Sequence, residues 1–246
     1  MQLCLAWSIE NAGWVSGLSI LTPVVIGGVL LGAVLSSWRW MPVLVAHGWS
    51  AVLGMACTFY LATGLVHGYD SAPRDYDTLP LLDRLAYVRT TYLAWPAVAR
   101  AGLPLTSAQQ DMMALFFTIT MALLLWLLAY ICTWFAARYV SWAGAVLPSG
   151  FALVFSLYSA HLSNDSAYIG FFMLCAFLLA ARTHVELRKE RWHAERVHHG
   201  AGLEFDFLRD SLVVAVLAIA VAFVLPGRIQ SELLRNLPTT WSAVSS

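Results

Sequence analysis

The chain has 246 residues, 60% of them hydrophobic and only 11% charged, with a mean hydropathy of +0.71, whereas a soluble domain is about a quarter charged and about half apolar. Fourteen Lys and Arg balance fourteen Asp and Glu, so the overall charge points to no nucleic acid and to no anchor held on lipid by a basic field. Disorder, a disulfide scaffold and a secreted globule are excluded; the composition is that of an integral membrane protein, an all-α polytopic helix bundle.

A bilayer core needs roughly 20 mostly apolar residues per helix. The N-terminal MQLCLAWS is apolar but covers only about 12 Å as a helix, too short to cross. It reads as the tail of a longer helix whose start is truncated, and no Lys or Arg before Arg39 supplies the basic region of a signal peptide.

Six spans are expected, at about 18–35, 43–66, 112–137, 142–158, 168–185 and 207–225. Pro23 falls in the first turns of the first span, where a missing N–H does least harm. The third, with MALLLWLLAYICTWF at its centre, carries the strongest signal. Pro148, Ser149 and Gly150 predict a kink in the fourth. The apolar parts of the fifth and sixth are short and must borrow flanking turns.

Short cytoplasmic loops carry an excess of Lys and Arg. One set of loops holds Arg39, Arg138, Arg182, Arg188, Lys189, Arg191, Arg196 and Arg209; the alternate set holds Arg74, Arg84, Arg89, Arg100, Arg228 and Arg235 over about twice the length. Both chain ends are therefore expected outside the cytoplasm. Trp38, Trp40, Trp134 and Trp142 fit an aromatic belt at the cytoplasmic interface, and Trp14 and Trp95 the outer one.

Two loops are long. The outer loop, 67–111, opens with GYDSAPRDYDTLP, rich in turn formers, and continues into LLDRLAYVRTTYLAWPAVARAG, where Leu82, Leu85, Ala86 and Leu93 recur at helical spacing. This second part is expected to be an amphipathic helix on the outer surface. The cytoplasmic loop, 182–210, begins as a solvated extension of the fifth span, its Glu and Arg/Lys intermixed.

The chemistry of the chain is sparse. No charged residue falls within the cores of the six spans, which weighs against ion-coupled transport. Cys4, Cys57, Cys132 and Cys175 lie in apolar runs as packing residues, with no CxxC and no zinc spacing. Thr58, Thr63, Thr118, Thr120, Tyr130 and Ser156 read as structural, bonding to their own helix or a neighbour. His47 sits at the cytoplasmic end of the second span. His67 and His161, at the outer ends of the second and fourth, stand at one depth and are the only candidates for a haem or pigment ligand pair; the simpler reading is a wet boundary histidine. His184, His193, His198 and His199 match no zinc motif. No nucleophile motif or phosphate loop occurs, and Asp75 with Asp77 is read as turn chemistry. No catalytic residue, metal or cofactor is assigned.

The run WSIENAGWVSGLSILTPVVIGGVLLG, the segment GLEFDFLRDSLVVAVLAIAVAFVLP and the tail ELLRNLPTTWSAVSS resemble the N-terminal membrane region of bacterial transglutaminase-like (TgpA-type) proteins. Trp14, Gly17, Asp206, Leu208, Arg209 and Pro226 are the anchoring positions. The resemblance implies a multi-span region that precedes an extracytoplasmic papain-like domain in the family. It also implies that the catalytic Cys, His and Asp lie outside residues 1–246, so the chain alone is inert.

The expected function is thus a membrane anchor or scaffold in the cytoplasmic membrane. Its partners are the bilayer and an extracytoplasmic protein or separate transglutaminase-like domain, met by Arg84, Tyr87, Arg89 and Trp95 of the outer loop. A helix resting on lipid is the plainer reading of those four. Alternatives are a subunit of a membrane electron-transfer or light-harvesting complex using His67 and His161, and a transporter of uncharged solutes.

Overall fold

In lipid every backbone N–H and C=O must find its partner within the segment, which leaves the helix as the form for isolated apolar runs. The computed structural model describes residues 1–38, 40–69, 71–100, 106–160, 166–194, 207 and 209–220, and these are all-helical, joined by turns. The helices are α1 (Gln2–Ala12), α2 (Leu21–Ser37), α3 (Val43–Leu65), α4 (Leu81–Arg100), α5 (Ser107–Arg138), α6 (Trp142–Ala160) and α7 (Ser166–Ala194). Among the described residues five helical stretches are long and apolar enough to cross a membrane: Leu18–Ser37, Val43–Gly68, Ser107–Arg138, Trp142–Ser159 and Ala167–Arg188. They coincide with the first five predicted spans. Of the sixth, residues 207 and 209–220 are helical, and the rest lies outside the described residues, as do Asp206, Pro226 and the 195–206 part of the cytoplasmic loop.

The chain divides into two units, Met1–Phe172 and Met173–Ser246. In the first, α5 is the central helix, packed against α2, α3, α4 and α6. At 32 residues it is about 48 Å long, and it begins earlier than hydropathy suggests. Its start is set by a capping box: Thr106 Oγ1 accepts from Gln109 N–H, and Gln109 Oε1 accepts from Thr106 N–H at 2.9 Å.

The tightest pairing is α2 on α5, and its cause is legible in G-V-L-L-G. A Cβ on Gly28 would fall 2.9 Å from Trp126 O, and one on Gly32 3.0 Å from Tyr130 O. Only glycine lets the two backbones approach this closely, the small-xxx-small geometry that replaces hydrophobic drive in lipid.

The short N-terminal segment is an 11-residue helix, α1, with Cys4, Leu5, Ala6 and Ser8 buried. It packs on α2 and α6. Gly13 closes it in a left-handed conformation, and Glu10 Oε1 then accepts Thr22 N–H at 2.9 Å. The carboxylate thereby serves an otherwise unpaired donor at the N-terminus of α2, where the helix dipole favours negative charge.

At the far end of α2, Arg138 Nη1 donates to Trp38 O at 3.0 Å and lies over the Trp134 ring. α6 is continuous through Pro148, with Ser149 Oγ donating to the Ala145 carbonyl at 2.9 Å. In the second unit, the His184 ring stacks on Phe207.

Candidate functional site

The segment between α3 and α5 is folded onto a small core that it shares with both helices. After α3 a 3-10 turn, Val66–Gly68, leads to turns set by Pro73 and Asp75, and a second 3-10 turn, Tyr76–Thr78, ends at Leu79. Thr78 Oγ1 donates to the Asp75 carbonyl at 2.7 Å, so DYD is part of a turn. Tyr76, at its centre, is 3% exposed.

Two contacts hold Tyr76. Its hydroxyl donates to Thr63 O at 3.0 Å, one of the carbonyls that the last turn of α3 leaves without a helical partner. The Arg84 guanidinium lies over its ring, 5.6 Å from the centroid, while Nε donates to Leu79 O at 2.9 Å and Nη2 to Asp77 O. Burial pushes the Tyr76 phenol up, and the Arg84 charge partly offsets this. Tyr76 then packs with Ala62, Val66, Val88, Leu115 and Ile119 into one apolar cluster shared by α3, α4 and α5.

Further along α4, Tyr92 stacks on Phe116 at 4.9 Å and meets Phe59 edge-on, while Trp95 leans on Phe116 at 6.4 Å. The start of α5 is tied in as well: Asp111 Oδ2 accepts Ser71 N–H at 3.1 Å. Burial, reinforced by the Asp111 charge, pushes the Tyr69 phenol up to about 12.

The four docking candidates thus divide. Arg84 is engaged with Asp77, Leu79 and Tyr76; Tyr87 is half-buried, edge-on to Tyr76 at 5.6 Å; Trp95 is half-buried against Phe116. Arg89 alone is exposed. The expected helix is present as Leu81–Arg100, but the face it buries is not the one read in the sequence. Leu82 and Leu93 are 78% and 65% exposed, while Val88 is fully buried. Aromatic rings offer more area to bury than leucines, and Tyr87, Tyr92 and Trp95 claim the inward face.

His67 pairs with Asp77, Nδ1 to Oδ1 at 2.7 Å, on the exposed side of this segment. His161 lies outside the described residues, as do His198 and His199, and the described residues hold no metal-binding group of His, Cys, Asp and Glu. The anchoring positions of the resemblance are partly visible. Trp14 meets Phe117 edge-on at 6.0 Å, and Gly17 has φ 91 with Leu65 and Tyr69 beside it. Arg209 pairs with Asp210 at 3.1 Å; Asp206, Leu208 and Pro226 lie outside the described residues.

Sequence reasoning passed over a second polar cluster, between α3 and α5 at the opposite end of the unit. His47 Nδ1 and Tyr130 OH are 2.9 Å apart, and Trp126 Nε1 donates to Ser50 O at 3.1 Å. The histidine looked like a boundary residue, and nothing in the sequence brings position 130 to it. Comparison with protein-family models, with curated proteins and with solved structures returns no match.

Proposed function

We propose that this multi-pass membrane chain is an anchor or scaffold of the kind found in the membrane region of transglutaminase-like proteins, without catalysis of its own. In this reading it resides in the cytoplasmic membrane with both chain ends outside, and the segment between α3 and α5 is an outer platform. The observation that supports it is the packing of that segment. Loops of this length are usually functional or disordered, and here a buried Tyr76, held by Thr63 and Arg84, ties the loop to the bundle. The surface it presents is the outer face of α4, where Leu82 and Leu93 flank the exposed Arg89. Its partner is an extracytoplasmic transglutaminase-like domain carried by another polypeptide.

Affinity purification of the tagged chain from membranes of the source organism, followed by mass spectrometry, tests this. The expected result is enrichment of a protein with a transglutaminase-like domain, lost on Leu82→Glu with Leu93→Glu. Recovery of the chain with no such protein contradicts the reading.

A further inference from the structure

We propose that the cleft between α3 and α5 binds a quinone-type amphiphile, a flat ring bearing hydrogen-bonding oxygens on an apolar tail. The inference stands apart from the anchor reading and rests on a different part of the molecule. The cleft has a volume of about 390 Å³, within the range of roughly 300–1,000 Å³ usual for small-molecule sites.

Its walls are graded. Leu123 and Leu127 line one end, and His47, Tyr130, Trp134 and Tyr139 the other. Along α5 that is about 24 Å, room for a ring at one end and several carbons of tail toward the bilayer centre. Among the described residues no charged side chain lines the cleft, and the Arg138 guanidinium that lies over the Trp134 ring donates to Trp38 O.

Two observations favour a ring over an acyl chain. First, aromatic planes surround the polar end: His47 lies 5.1 Å from Trp134 and 5.6 Å from Tyr130, and Phe135 lies 5.5 Å from Tyr139. Such walls accept a further ring by offset or edge-on stacking. Second, His47 is exposed to the cleft side of α3, and its Nδ1 is taken by the Tyr130 hydroxyl. Nε2, with no partner among the described residues, can serve as donor or acceptor according to the tautomer, which suits a carbonyl and a hydroxyl alike. A hydrocarbon chain would leave His47 Nε2 without a partner.

The test uses the full chain in detergent, titrated with decylubiquinone and followed by tryptophan fluorescence, since Trp126 and Trp134 line the cleft. The expected result is saturable quenching that decylbenzene, with the same tail and no oxygens, fails to displace. His47→Leu should weaken binding about tenfold, the worth of one hydrogen bond. His47→Gln should recover most of that loss, and Ala51→Phe, which fills the cleft, should abolish saturation. Thermal midpoints show whether each variant folds; should His47→Leu not fold, Ala51→Phe and the decylbenzene competition still decide. Quenching that does not saturate, or equal competition by decylbenzene, overturns the proposal.

Discussion

Gly54 of α3 lies against the indole of Trp126 in α5, so closely that a Cβ at position 54 would fall 2.4 Å from Nε1. The same nitrogen donates to Ser50 O at 3.1 Å, one turn earlier on α3. The absent side chain and the hydrogen bond are therefore one device: glycine makes the space in which the ring can reach the carbonyl. Gly54→Ala should force the indole out, at a cost of about 1–3 kcal/mol from overpacking and a weakened bond. A lowered thermal midpoint with altered tryptophan emission is the expected outcome, and an unchanged midpoint would place the ring elsewhere.

Tyr76 should matter to the segment between α3 and α5 more than to the bundle. Tyr76→Phe keeps the ring under Arg84 and leaves the Thr63 carbonyl without its donor, a loss of roughly 1–2 kcal/mol for a buried group. Protease cleavage within 67–80 should become faster while the midpoint of the whole chain moves little. Equal protease resistance in the two proteins would mean that the hydroxyl bond does not hold the segment.

Much of the fold was legible in the sequence, and the misses have physical reasons. Five spans follow from hydropathy alone. The capping box Thr106–Gln109 and the Gly28-x-x-x-Gly32 pair were written in the chain too, but Gln109, Gln110 and Asp111 make the first turn of α5 look like loop. The burial of α1 was not legible, because a short apolar run looks the same in lipid and in protein. Nor was the inward face of α4, where rings outcompete leucines for area. For the platform, the decisive contacts join Tyr76 to Thr63 and Arg84 across turns, and no periodicity encodes them. The His47–Tyr130 pair is 83 residues apart and has no sequence signal at all.

Val140 links α5 to α6 with φ 49, a left-handed conformation that costs a β-branched residue about 1–2 kcal/mol. Glycine adopts it freely but gives back about 0.5–1 kcal/mol in the unfolded chain. Val140→Gly should therefore raise the thermal midpoint slightly, and a clear fall would show that the valine side chain contributes packing that outweighs the strain.

Tyr69 supplies a pH dependence. Its phenol is pushed from 10.0 up to about 12, so the folded state keeps the proton after the unfolded state has lost it. The stability it contributes is fully present below about pH 10 and is lost as pH rises toward about 12. In a tyrosinate absorbance titration, Tyr69→Phe should remove a step near the upper end of that window. Loss of a step near 10 instead would mean that the hydroxyl is solvated.

The most direct test of the anchor reading is the side of the membrane on which α4 lies. In a background with the four cysteines replaced, Arg89→Cys and, separately, Arg188→Cys would be exposed to a membrane-impermeant maleimide on intact cells. The account predicts labelling at position 89 before permeabilisation and at position 188 only after it. Labelling at position 89 only after permeabilisation would put the platform in the cytoplasm, where no extracytoplasmic domain could dock on it.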